Sequence, residues 1–305
     1  MLAFLVLSGC VLDGKSALVL APVETPLLNA PDDAEAGDWA TAPAVCQRLR
    51  VMNALEVDIE WDGDLESCDP GSSPEILTHR ALSQLNFARE LAGHPSVEAR
   101  PGELAQSCAL LMHANETLSH EPTPDWDCYD EDAAASASES LLASAPGVSV
   151  VRGYLVDPGN DWTLGHRRWL LSPWISEVSF GTTNQYSCVF LDSYDTTIKD
   201  PWTAWPPPGQ VPRGILESYG FSVDEVGWSL QSDQIDLSAA QVTITHEGVD
   251  FPMEVIQLTP WMGSEFGIRF VPDVLVGRTG VFEVHVDGVE EPFDYEVEIV
   301  DCPSE

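Results

Sequence analysis

The sequence predicts an α+β protein built in two successive parts. A mixed, helix-rich part spans residues 74–200, and an all-β sandwich spans 201–305. Three observations predict this. Apolar residues recur every three or four positions from Leu77 to Leu91 and from Leu104 to Leu118, the period of an amphipathic helix. Beyond Trp202 the period falls to two, with strict alternation in Phe282–Val286 and Phe293–Ile299. Between the two parts, Trp205-Pro206-Pro207-Pro208-Gly209 reads as a stiff crossover.

The elements follow in order. Residues 11–45 carry Pro22, Pro26, Pro31 and Pro43 among Ala, Asp and Glu, a linker composition. Residues 46–73 read as an ordered extension stapled by one disulfide, closing on the loop signal Asp69-Pro70-Gly71-Ser72-Ser73. The first helix buries Leu77, Ala81, Leu85, Ala88 and Leu91 and stops at Gly93. The second begins at Pro101, a residue suited to a first helical turn, and is expected to end near Leu118. Ala-rich 131–143, with acids in its first turn, is a third helical candidate. Val178–Thr182 and Ser187–Asp192 read as strands. So do Gln241–Thr245, Met253–Leu258 and Phe266–Phe270, and Asp287-Gly288 is a hairpin turn signal. Short strands separated by turns predict an Ig-like sandwich of about 90 residues.

Charge narrows the function classes. Lys+Arg total 13 against 50 Asp+Glu, a net charge of -37. Phosphate backbones repel such a surface, so nucleic acid is excluded as a partner. Anionic lipid headgroups are repelled for the same reason, leaving a lipid anchor as the route to a membrane. Lysine is nearly absent (Lys15 and Lys199), a balance that suits salty surroundings or an acidic secreted protein.

Residues 1–10 read as a signal segment with a lipobox. The apolar MLAFLVLSG is too short to span a bilayer, and Leu7-Ser8-Gly9-Cys10 offers Cys10 for lipidation. No Lys or Arg precedes the run; a start upstream of Met1 would supply one. The plainer reading is a buried strand with an incidental cysteine. Six further cysteines in an exported chain imply disulfides, for which 15 connectivities exist. Sequence proximity favours Cys46–Cys68, Cys108–Cys128 and Cys188–Cys302.

Residues 85–192 carry four ordered motifs. These are Leu85-Asn86-Phe87-Ala88-Arg89, then AQSCALLMHANETLSH over 105–120, then Gly165-His166-Arg167-Arg168-Trp169-Leu170-Leu171-Ser172-Pro173, and Val178-Ser179-Phe180-Gly181. In this order and spacing they resemble the CAP superfamily of cysteine-rich secretory proteins, venom antigen 5 and pathogenesis-related proteins. The GHRRW version with a strand-rich tail resembles one bacterial branch. The resemblance implies a CAP-type α-β-α sandwich over 74–200 with two histidines and two acids in a central cleft. Carried over, these are His120, Glu139, Asp157 and His166. Glu139 lies in Ser-Glu-Ser-Leu, which lacks the family's flanking Gly and Asn, and Asp157 stands where the family has a longer Glu.

The residue types support several chemistries. Two neutral imidazoles, His120 and His166, can hold a divalent metal such as zinc, with acids as ligands through water or as acceptors behind the rings. A His beside a carboxylate can act instead as a general base, and a hydrogen-bonded structural cluster is the bland alternative. No GxSxG or HExxH is present. Arg167 and Arg168 suit an anion clamp or, more simply, a helix-end or salt-bridge role. Trp126, Trp162, Trp169 and Trp174 are candidates for an apolar groove or for core. His113, His246 and His285 read as packing or surface residues. The expectation is an exported bacterial envelope lipoprotein binding a small apolar ligand, a metal or a partner surface through the His/acid cleft. A metal-assisted hydrolase and a structural protein with a vestigial cleft are the rivals.

Overall fold

A computed structural model of the chain describes residues 41–54 and 60–303. Cys10 and the candidate lipobox lie outside the described residues, as does all of the proline-bearing stretch before residue 41.

The first part is a four-stranded sheet with helices on both faces. In chain order it contains α1 (Ala44–Ala54), α2 (Glu75–Leu91), β1 (Glu98–Ala99), α3 (Glu103–Ala114) and α4 (Glu131–Ser138). Then come β2 (Ser140–Ala143), α5 (Val150–Val156), α6 (Gly165–Leu170), β3 (Ile175–Thr182) and β4 (Ser187–Tyr194). The sheet order is β1-β3-β4-β2, with β1 parallel to β3 and the rest antiparallel. Alternation along the strands splits the core in two. Leu141 and Val189 point toward α2 and α5, packing with Leu77, Leu85 and Val151. Leu142 and Cys188 point the other way, toward Cys108 and Leu111 of α3 and Ala137 of α4. Gly181 lets α3 approach the sheet: a Cβ there would overlap the Ala105 backbone. Buried Gln106 then pairs with the Thr182 backbone in both directions, at 2.8 and 2.9 Å.

Two helical expectations change. α3 ends at Ala114 because Asn115 turns back, its amide donating to Leu111 O and Asp127 O. The stretch 131–143 divides into α4 and β2. Asp130 caps α4 by accepting from the Asp132 and Ala133 amides, and Ser140–Ala143 leaves the helix to pair with β4.

The second part holds two packed sheets and a small hairpin of β7 (Glu217–Ser218) and β8 (Phe221–Ser222). β5 (Thr203–Trp205), β9 (Trp228–Ser232), β13 (Phe266–Phe270) and β12 (Val255–Gln257) form one. β6 (Gly209–Pro212), β15 (Phe293–Val300), β14 (Gly280–Asp287), β10 (Gln241–His246) and β11 (Val249–Met253) form the other. Their inner faces meet through Trp228 and Phe282, ring centroids 5.6 Å apart. That core continues across residue 200: Leu49, Phe87, Leu155, Leu164 and Leu171 belong to the same apolar cluster as Trp228 and Ile268.

The cysteines pair as Cys46–Cys302, Cys68–Cys128 and Cys108–Cys188, in place of the expected Cys46–Cys68, Cys108–Cys128 and Cys188–Cys302. Sequence proximity fails because α3 packs flat on β4, which sets Cys108 beside Cys188. α1 docks near β6, which carries Cys46 to the chain's end. Cα–Cα distances of 5.3–6.1 Å suit all three bonds. Three disulfides belong to an oxidising, non-cytoplasmic compartment. Among the described residues no helix is long and apolar enough to cross a membrane.

Candidate functional site

Asp157 ends α5 in the left-handed region at φ 59°, a conformation Asp tolerates better than most residues. Its side chain is buried and fully engaged. Oδ1 accepts from Asn160 Nδ2 at 2.6 Å and faces His166 Nδ1 at 2.9 Å, while Oδ2 accepts from the Arg167 amide at 3.2 Å. A carboxylate only accepts, so the ring proton of His166 sits on Nδ1. Asn160 Nδ2 also lies 3.0 Å from that nitrogen, a side-by-side approach of two donors to one oxygen. In the neutral ring, Nε2 is therefore left as the acceptor. Tyr154 packs its ring 4.5 Å from that of His166, and its hydroxyl donates to Leu141 O at 2.9 Å, tying α5 to β2. Burial, then Asp157 and Tyr219, raise the Tyr154 hydroxyl well above its ordinary pKa, so it stays protonated.

His120 lies in the loop after α3. Its Nδ1 sits 2.9 Å from Ala137 O at the end of α4. A carbonyl also only accepts, so this ring too carries its proton on Nδ1 and keeps Nε2 as acceptor. The two imidazoles thus adopt the same tautomer by two unrelated means.

His120, Glu139 and His166 line one pocket of about 480 Å³, with Asn160, Trp169 and Tyr194 also in its wall. Asp157 does not line it; it stands behind His166. An adjoining open groove of about 620 Å³ shares Asn160 and His166 and reaches Leu118 and Tyr219. Among the described residues, no three His, Cys, Asp or Glu side chains gather closely enough to enclose a metal ion. A metal here would rest on the two imidazoles with water completing its shell.

Arg167 and Arg168 do not face this pocket. Both are buried and bind backbone carbonyls. Arg167 donates to Leu155 O, Val156 O and, across in the second part, Gly227 O, each at 2.7 Å. Arg168 donates to Thr259 O at 2.6 Å and to Ser264 Oγ at 2.9 Å. Burial lowers both guanidinium pKa values to about 10, which leaves them charged at neutral pH. The anion-clamp reading therefore gives way to a structural one. Arg168 straps the 259–264 loop to α6, and Met262 from that loop lines the pocket.

The tryptophans separate. Trp126 packs beside α3 and α4, away from the pocket. Trp174 is buried core, Trp169 lines the pocket, and Trp162 is 73% exposed. His113 is buried between Trp61 and Tyr186 rings, and burial lowers its pKa. His246 stacks on Phe282, and His285 pairs with Asp294 at 2.9 Å. Asn160, Tyr194 and Met262, which also line the pocket, belong to none of the motifs read from the sequence. The turn run Asp157-Pro158-Gly159-Asn160 was the one signal that could have drawn attention to Asn160.

Comparison of the chain with protein-family models, with curated proteins and with solved structures gives no significant match.

Proposed function

We propose that this chain is an exported CAP-type protein, lipid-anchored at Cys10 in a bacterial envelope, with an Ig-like C-terminal sandwich. Its cleft binds a small, partly apolar ligand and seats a divalent metal such as zinc between His120 and His166. One observation carries the reading. Both rings are held from behind by an acceptor on Nδ1, which leaves Nε2 free to accept, and both residues line one pocket. Metal-binding histidines are commonly oriented in this way, the second acceptor fixing the tautomer and raising ring basicity. Helices on both faces of one sheet support the layered architecture that this reading expects. A bound metal would supply Lewis acidity there. His120 and His166 would hold it, Asp157 would keep the His166 ring in register, and Glu139 would accept from metal-bound water.

Zinc titration calorimetry tests this. His120→Ala and His166→Ala should each abolish binding while both variants melt like the parent. Undiminished zinc binding in either would remove the shared site.

A hydrolytic reading rests on a separate observation, the Asp157–His166 pair at 2.9 Å, which has the arrangement of an oriented general base. Chelator-sensitive turnover of an ester or amide that is lost in His166→Ala would favour it over binding alone.

A further inference from the structure

Trp261 sits at φ 64°, the left-handed region, in a tight turn closed by its amide donating to Ser264 O at 2.9 Å. Glycine fits such a position without strain, whereas a bulky side chain is disfavoured there. The ring is also 56% exposed. Backbone strain of this kind is commonly kept where the side chain has a role.

The loop carrying Trp261 is fixed on both sides. Thr259 N donates to Trp162 O at 2.9 Å, and Arg168 holds Thr259 O and Ser264 Oγ. Trp261 lies against Trp174 with centroids 6.3 Å apart and planes 26° from parallel. Trp174 meets Trp169 at 5.8 Å, and Trp169 meets Tyr194 at 5.6 Å. Of these, Trp169 and Tyr194 line the histidine pocket, and so does Met262, the next residue after Trp261. Trp174 is itself buried, so the rings open to a ligand are Trp169 and Tyr194, in a pocket edged with Asn160, Thr163 and Glu139, and the exposed indole of Trp261 beside it on the second part of the chain.

We propose that this cleft takes a neutral, pyranose-based glycan, stacked on Tyr194, Trp169 and Trp261. The proposal deepens the ligand-binding reading above and rests on it. Pyranose rings carry C–H groups on their faces and hydroxyls around their rims. The faces suit the electron-rich faces of aromatic rings, and the rims suit amide, hydroxyl and carboxylate side chains. A net charge of -37 disfavours acidic polysaccharides and anionic lipid surfaces alike. An extended peptide adding to the sheet beside the pocket is also disfavoured, because Ser140, Leu141 and Leu142 of β2 are buried. Strapping the loop to α6 through Arg168 pre-organises the platform, which lowers the ordering cost of binding.

The test uses the disulfide-bonded chain and three neutral probes: the hexamers of β-1,4-glucose, α-1,4-glucose and β-1,4-N-acetylglucosamine. Calorimetry and tryptophan fluorescence should show at least one binding with Kd below about 1 mM. Trp261→Gly relaxes the backbone while removing the ring. It should weaken that binding by about tenfold, a loss of the size expected for one aromatic contact. Tyr194→Ala should weaken it similarly and serves if Trp261→Gly misfolds. Val249→Ala, an exposed change on β11, should leave it within about twofold of the parent, inside ordinary surface-substitution noise. Absence of binding to all three probes overturns the proposal, as does binding indifferent to both aromatic changes. Neutral phosphatidylcholine vesicles that bind with the same Trp261 dependence, while the glycans do not, also overturn it. Zinc titrations on the same samples separate the two readings. Zinc bound without glycan leaves the metal site standing alone, and glycan bound without zinc supports this proposal against the metal.

Discussion

The Arg168 guanidinium occupies the space where a Cβ on Gly267 would stand, with Cζ at 2.8 Å and Nε and Nη2 at 2.9 Å from that position. Arg168 belongs to α6, near His166, and Gly267 to the start of β13, so this contact joins the two parts of the chain. Gly267→Ala should push the guanidinium off its carbonyl partners and destabilise the protein by about 1–3 kcal/mol. Thermal unfolding checks this; an unchanged melting temperature would show that Arg168 has room to move.

Cys46 and Cys302 are bonded across 256 residues, the longest separation of the three disulfides. Loop-closure entropy gives such a bond up to about 5 kcal/mol. The double change Cys46→Ala, Cys302→Ala should lower the unfolding midpoint more than removing Cys68–Cys128, whose loop spans 60. Non-reducing peptide mapping that recovers a Cys46–Cys68 peptide would contradict the observed pairing outright.

His94 should make stability fall on acidification. Its side chain is almost wholly buried and contacts Thr203 Oγ1 at 2.9 Å, with Asp200 4.0 Å away. Burial, then the Arg89 charge, pushes its pKa down from 6.5 to about 4. Between those values the unfolded chain binds the proton and the folded chain does not. The contribution is therefore complete above pH 6.5 and is lost as pH falls toward about 4, by as much as about 3 kcal/mol. In denaturant titrations from pH 6.5 to 5, above the main carboxylate range, His94→Gln should show a flatter pH dependence than the parent. Equal slopes would refute the assignment.

Asp157→Asn should weaken zinc binding by about 10- to 100-fold, the usual effect of removing an oriented acceptor behind a ligand histidine. Loss should be complete only in the histidine variants. Calorimetry at pH 7.5 distinguishes the two; parent-like affinity in Asp157→Asn would show that the carboxylate plays no part in holding the ring.

Salt should raise the melting temperature. Arg89, Arg167 and Arg168 are fully buried and are hydrogen-bonded to carbonyls, so three of the few cations do nothing to pair the surface acids. Repulsion among 50 carboxylates is screened as the Debye length shrinks from about 10 Å at 0.1 M to about 3 Å at 1 M. A calorimetric series in NaCl tests it, and a flat curve would mean that the acids are too well spread to repel.

Local features were legible in residue spacing. The 3.6-residue period fixed α2 and the start of α3. The two-residue period fixed β14 and β15, and Asp287-Gly288 fixed the turn between them. These are set by which faces must be buried, and burial faces are written in residue spacing. His120, Glu139, Asp157 and His166 came into view only through the family resemblance of the motifs around them. Packing set the rest. A disulfide needs two Cα atoms within a few ångströms, and chain packing rather than sequence distance supplies that for Cys46 and Cys302. Likewise, Arg167 and Arg168 look like surface cations until the second part of the chain covers them and their charge is met by carbonyl oxygens. The placing of Asp157 behind His166, while Glu139 shares the pocket, follows from the left-handed turn at the end of α5. Periodicity carries no record of which side chain such a turn sends inward.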